Sequence, residues 1–170
     1  MEIKTFLRKP TKSKFSLDAL SEHPTEFYAD LEGYSALKNK YEVDYYSRGV
    51  IFITFNGDFI SNFKEHDLVI PFWINLLAGV VDYLHNGKAE AFFQDRSGHI
   101  SLQKSYLGII ELKKIYGSDK LMGTWYVPEK EFLSEIYKEG IKFNEFLLVN
   151  KLKYNDIENL LMEIQNSITI

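Results

Sequence analysis

Hydrophobic and polar positions follow two different periods along this chain, and the change of period marks its elements. Residues 2–8 alternate through Ile3, Thr5 and Leu7, which predicts a short first strand. Lys9-Pro10-Thr11-Lys12-Ser13-Lys14 is polar and breaks structure. Between Phe15 and Lys40 the pattern is weak. Ser16 is placed to cap a short helix through Leu17 and Leu20 that Pro24 ends, and Thr25 to cap a turn through Phe27, Tyr28 and Leu31 that stops at Gly33. The pattern then sharpens. Gly49-Val50-Ile51-Phe52-Ile53-Thr54-Phe55 is dense in β-branched and aromatic residues, and Asn56-Gly57 and Asp58-Phe59-Ile60-Ser61 follow it. Asn-Gly between apolar runs predicts a hairpin, because both residues of a type I′ turn need positive φ.

A helix is expected from Asp67 or Ile70 to Asn86. Pro71 suits a first turn that needs no amide donor, and Gly87 suits a left-handed cap. Phe72, Trp73, Leu76, Leu77, Val80, Val81 and Leu84 surround nearly its whole circumference, so the helix is expected to be buried against a sheet. A meander follows: Lys88–Gln94, a turn at Asp95-Arg96-Ser97-Gly98, His99–Ser105, Leu107–Ile115, a turn at Gly117-Ser118-Asp119, and Leu121–Val127. A second helix starts at Pro128, with Glu129 and Glu131 in the first turn where negative charge is favoured. Phe132, Ile136, Phe143 and Leu147 form its stripe, and Gly140 is its expected weak point. Asn155 or Asp156 caps a third helix through Ile157, Leu160, Leu161 and Ile164. The expectation is one α+β domain over residues 1–170. An antiparallel sheet, made of the hairpin plus the four-stranded meander, is packed by the buried central helix and two C-terminal helices.

Composition narrows the function. The 170 residues are 45% hydrophobic and 15% aromatic, enough for a core that needs no metal or disulfide staple. There is no cysteine, which excludes a disulfide framework, a thiolate metal site and a thiol nucleophile, and fits the cytoplasm. No secretory signal is read at the start. The run Leu68–Leu84 is interrupted by Pro71, Asn75, Gly79 and Asp82, which argues against a membrane span. The net charge of −4 disfavours nucleic acid as a partner. The charge is unevenly spread. Lys4, Arg8, Lys9, Lys12 and Lys14 face only Glu2 in the first 14 residues, whereas residues 22–46 hold six acids against Lys38 and Lys40.

Motifs for catalysis are missing. There is no Gly-x-Ser-x-Gly, no phosphate loop and no Gly-x-Gly-x-x-Gly. His66-Asp67 resembles the adjacent pair of metal-dependent phosphohydrolases, but that chemistry also needs an upstream His and a downstream Asp on helices, whereas here the pair precedes a helix and Asp67 is a natural cap. Arg96 sits in a turn-forming stretch and reads as a hairpin tip. Asp82 and His85, at i and i+3 on the central helix, form with His99 a candidate pocket for a small molecule or an acid/base pair. The plainer reading gives the helix a wet edge, with His85 at its C-terminus. No cofactor or metal is implied.

Two features point to protein binding. Residues 26–46 interleave the acids Glu26, Asp30, Glu32, Glu42 and Asp44 with Tyr28, Tyr34, Tyr41, Tyr45 and Tyr46, which are five of the eleven tyrosines. Tyrosine supplies contact area at low entropic cost, and acids steer a basic partner. Against this stands the reading in which the rings line a packed face and the acids are merely solvated. The second feature is Trp125-Tyr126 beside Met122, an anchor if the outer face of the last strand is open and core if it is not.

The layout resembles that of small immunity or antitoxin-type proteins encoded beside secreted bacterial toxins. The residues that carry the resemblance are Pro71-Phe72-Trp73-Ile74-Asn75-Leu76-Leu77-Ala78-Gly79-Val80, Gly87, the hairpin from Asp95 to Gly98, and Val127-Pro128-Glu129-Lys130-Glu131-Phe132-Leu133. It spans residues 49–149, is one of length, acidity and element order, and carries no functional residue across. It implies a non-catalytic inhibitor that binds one cognate toxin, and the acids of residues 26–46 suit a basic one. The competing expectations are a small-molecule-binding domain or enzyme with its site between helix 68–86 and the sheet, and a subunit that oligomerises through a sheet edge.

Overall fold

The computed structural model describes residues 1–9, 19, 22–37, 42–117 and 119–168. The expected helix start at Ser16, with Leu17 and Leu20, lies outside them, as do linker residues 10–14, Lys38, Lys40, Tyr41 and Ser118. Strand β1 (Glu2–Arg8) is followed by a short helix α1 (Pro24–Phe27), strand β2 (Tyr28–Asp30) and helix α2 (Leu31–Ala36). The hairpin β3 (Arg48–Phe55) and β4 (Asp58–Ser61) comes next, then β5 (Asp67–Leu68) and the central helix α3 (Val69–Asn86). The meander is β6 (Lys88–Phe92), β7 (Gly98–Lys104), β8 (Ile109–Tyr116) and β9 (Lys120–Pro128), followed by α4 (Glu129–Val149) and α5 (Asn155–Ile168).

The fold is α+β with antiparallel pairing throughout, as the periodicity predicts. The strands nevertheless form two sheets. One runs β2-β1-β3-β4 with β5 also on β3, and the other is the meander β6-β7-β8-β9. The hairpin does not join the meander because β3 finds its neighbour in β1, from Glu2↔Thr54 to Leu7↔Gly49. The Asn56-Gly57 turn has φ of 51° and 87°, the left-handed conformations an Asn-Gly pair supplies at low cost.

Helix α3 ties the sheets together. It contacts β3 and β5 of the first sheet, β6 and β7 of the second, and both C-terminal helices. Trp73, Leu76, Leu77 and Val80 are fully buried, each worth about 1.5–3 kcal/mol for the large side chains. The Trp73 ring stacks on Phe143 at 5.6 Å, and its indole N–H donates to Thr5 Oγ1 at 3.2 Å. Gly87, at φ 70°, closes the helix as expected. Gly140 does not break α4. A Cβ there would stand 2.8 Å from Leu161 Cδ2, so the missing side chain lets α5 approach. Among the described residues no helix is long and apolar enough to cross a membrane.

Two local expectations are corrected. Thr25 does not cap a turn running to Gly33. Pro24 opens α1, the chain then extends through β2, and Asp30 caps α2 by accepting the Gly33 N–H at 2.7 Å. Asp67 is not the cap of α3 either, since the N-cap is Leu68. The buried Asp67 carboxylate instead accepts the amides of Gln94 (2.7 Å) and Asp95 (2.8 Å), and so pins the β6–β7 turn to β5. That is why β6 ends at Phe92 and not at Gln94. The same corner holds a salt bridge of 2.6 Å between the nearly buried Lys114 and Glu65.

Candidate docking cleft

Strand β2 covers the edge of β1 only along residues 6–8, where Phe6, Leu7 and Arg8 pair with Asp30, Ala29 and Tyr28. Beyond that, the Thr5 amide donates to Glu139 Oε1 of α4 at 2.7 Å. A helix carboxylate thus takes the place of a strand neighbour, which satisfies a buried amide and fixes Glu139 at 5% exposure. Helix α2 closes the other side. Its Tyr34 is buried edge-on against Phe146 of α4 at 6.2 Å, which locks α2 onto α4. Between these elements lies a cleft of about 390 Å³.

Asp30, Glu32, Glu139 and Glu145 line it together with Lys4 and Lys142, and Phe146 and Val149 supply an apolar wall. Both ammoniums are engaged, Lys4 with Glu2 at 2.6 Å and Lys142 with Glu139 at 3.7 Å. The Lys4 ammonium is held above its usual range, first by its hydrogen bond to Glu2, then by the charge of Glu2, with Asp30 and Glu139 adding to it. The cleft is acidic on balance and carries Val149 at its rim, 60% exposed.

Of the proposed partner-binding residues that are described, the structure brings only Asp30 and Glu32 into this cleft, and Tyr41 lies outside the described residues. Tyr28 and Tyr34 are core residues at 2% and 4% exposure, so the expectation of an outward tyrosine surface is wrong for both. Glu26 is exposed on α1 and does not line the cleft. Glu42 is exposed, and Asp44 folds its own turn by accepting from Tyr46 N and Ser47 Oγ. Tyr45 and Tyr46 are exposed and lie beside each other at 5.5 Å, with Tyr45 also 6.2 Å from Tyr154 just before α5. The segment therefore divides into a buried half, which builds the fold, and an open pair of rings.

Glu139, Lys142 and Glu145 were not foreseen. Their spacing of three on a helix places them on one face, beside the apolar stripe, and that periodicity is the signal that could have found them.

Asp82, His85 and His99 do not converge. Asp82 is exposed, and His85 points outward to Glu163 at 3.2 Å. His99 is on the other face of β7 from Ile100 and Leu102, against Phe92 at 5.1 Å and 3.6 Å from Glu90. The space between α3 and the meander is filled instead by Val80, Ala91 and Leu102, all fully buried. Trp125 packs on the core, whereas Tyr126 and Met122 are half exposed, and the Tyr126 hydroxyl donates to Glu111 Oε2 at 2.9 Å.

No family model matches the chain, and no solved structure matches it. Over 98 residues it is 32% identical to "Calcium uptake protein 2, mitochondrial" of Mus musculus, and equally to the protein of that name from Rattus norvegicus. The likeness takes in 54% of this chain and 22% of each relative, so the chain spans less than a quarter of the length of the curated relatives it matches. Among the described residues, no group of three or more histidine and carboxylate side chains is gathered so as to hold a metal ion.

Proposed function

We propose that this chain is a non-catalytic protein-binding domain, an immunity-type protein that neutralises a cognate bacterial toxin in the cytoplasm by docking a basic segment of it in the acidic cleft. The observation that carries the reading is the gathering of Asp30, Glu32, Glu139 and Glu145 around one cavity beside exposed Val149. A lysine or arginine side chain entering there meets carboxylates at close range, while its aliphatic stem lies on Phe146 and Val149. The resemblance of layout to immunity proteins supports the same reading.

Calorimetric titration of the chain with the protein encoded beside it tests this. Binding is expected, with at least about a tenfold loss of affinity in the Glu32→Gln/Glu145→Gln double variant, the scale of 1.4 kcal/mol. A neighbouring protein that does not bind, or one that binds the double variant as tightly as the wild type, would overturn the proposal.

A further inference from the structure

Strand β9 ends the second sheet, and among the described residues no strand pairs with its outer side. Register fixes which of its backbone groups are open. Pro128 pairs with Ile109, and the Glu129 amide donates to the Gly108 carbonyl at 2.8 Å. Antiparallel alternation therefore turns the amides of Val127, Trp125 and Gly123 toward β8, and the amides and carbonyls of Thr124 and Tyr126 outward. No described residue bonds to these four outward groups. Pro128 also faces outward, where an amide is not needed. A register shift near Leu121 ends the regular ladder on the other side. Every residue from Lys120 to Tyr126 keeps part of its surface in solvent.

The other edges are protected. Strands β2, β4 and β5 have three, four and two residues. The open part of β1 is taken by Glu139. Strand β6 carries Lys88 and Glu90, and its outward Phe92 carbonyl accepts from Asn75 Nδ2 of α3 at 2.9 Å. Short strands, charges and a covering helix all keep sheet edges from pairing. Strand β9 has nine residues, and from Leu121 to Val127 it carries no charge. A chain of net charge −4 repels its own copies in general, but not along this run.

Apolar surface flanks the same edge. Leu121, Met122 and Tyr126 are half exposed. Tyr106, more exposed still, stands close enough to Tyr126 for its charge to act on that hydroxyl. These four side chains leave on the order of 400 Å² open per copy, so a pair of copies would bury roughly 800 Å² of side chain, and the paired backbone takes this toward the ~1,200 Å² at which specific interfaces begin. The Trp125 ring lies over Gly123, where a Cβ would collide with it, so the indole runs back along its own strand.

We propose that this edge pairs with the same edge of a second copy, β9 against β9 in antiparallel, joining two four-stranded sheets into one of eight strands. Thr124 of each copy faces Tyr126 of the other about a dyad at Trp125, a register that pairs the outward amides and carbonyls of both copies with each other. Met122 of each copy then lies beside Pro128 of the other. The occupant is a second copy because the edge reads alike in both directions: open groups stand symmetrically about Trp125, apolar side chains lie toward both ends, and no charge lies between. The edge belongs to the second sheet and the acidic cleft to the first, so the dimer does not depend on the docking proposal.

Sedimentation velocity of the full chain from about 1 to 500 µM tests this, a span that covers the micromolar dissociation constants expected of so small an interface. The mass is expected to rise from one copy to two. Thr124→Pro removes an outward amide and spares the β8 ladder, so dimerisation should weaken at least tenfold. Met122→Lys should weaken it as much by placing a charge on the edge, and carries the test should Thr124→Pro fail to fold. Phe59→Ser, which removes an exposed apolar side chain of the first sheet, should dimerise as the wild type does. The register is read by mild oxidation, because the chain has no cysteine of its own. Thr124→Cys mixed with Tyr126→Cys should form a disulfide-linked dimer faster than either variant alone. A constant monomer mass, wild-type dimerisation in Met122→Lys, an equal loss in Phe59→Ser, or cross-linking no faster in the mixture would overturn the proposal.

Discussion

The two ends of β1 make an instructive pair. At the Lys4–Thr5 end the strand's edge is completed by a helix, and the helix brings carboxylates. At the Arg8 end it is completed by β2, and Arg48 of β3 lies alongside. The same seven-residue strand thus borders an acidic cleft and a basic corner, and what differs is the element that satisfies its backbone. Charge on this molecule is sorted by tertiary partner and not by position in sequence. Residues 1–14 are basic as a run. Even so, Lys4 is held up by acids, whereas Arg8 is held down first by burial.

The comparison can be broken at either end. The largest effect is expected at the basic corner from Asp67→Ala, which orphans the Gln94 and Asp95 amides and frees the turn that carries Arg96. Losing a buried charged acceptor should cost about 3 kcal/mol, read by urea denaturation. A cost below about 1 kcal/mol would show that the corner is not rigidly held. At the acidic end, Glu139→Ala should cost about 2 kcal/mol by leaving the Thr5 amide unpaired, while Glu139→Gln should cost less than half of that because its amide oxygen still accepts. Equal losses in the two variants would mean that the carboxylate's charge matters more than its hydrogen bond.

A third test is alkaline titration. Burial pushes the Tyr28 phenol up to about 12 from its ordinary 10.0. Between those values the unfolded chain gives up this proton and the folded one keeps it, so stability falls as pH rises through the window, by at most about 1.4 kcal/mol per pH unit from this group. Tyr83 is raised too, by burial and its hydrogen bond to Glu129, and steepens the fall. Tyr28→Phe should flatten the slope measured by thermal melting above about pH 10, and an unchanged slope would show that Tyr28 titrates normally. The smallest effect belongs to neither end. Glu163→Gln, which removes the exposed partner of His85, should change stability by less than about 0.5 kcal/mol by denaturant titration, and a larger loss would mean that this pair is part of the structure.

How much of this was legible in the sequence follows from how local each cause is. The Asn56-Gly57 hairpin, the all-round apolar α3 with its Gly87 cap and the alternating meander strands are written in neighbouring residues, and periodicity reads them. The division into two sheets was hidden because the partner of β3 lies at the N-terminus, far back in sequence, as in Ile3↔Ile53. Asp67 looks like a helix cap by local chemistry and becomes a turn anchor only when Gln94 and Asp95 arrive. The acidic, tyrosine-rich segment misled for a related reason. Composition gives the residues but not their faces, and Tyr34 turns inward because Phe146, from a helix near the other end of the chain, is there to receive it. Half of the cleft was missed for the same cause, since Glu139 and Glu145 come from α4.

The docking claim is tested most directly by hydrogen–deuterium exchange of the chain alone and in the presence of the protein encoded beside it. Residues 30–36 and 139–149 are predicted to gain protection in the mixture, and the gain is predicted to shrink as salt is raised. Protection confined to other segments, such as the open face of β6–β9, with 30–36 and 139–149 exchanging as in the free chain, would contradict the account.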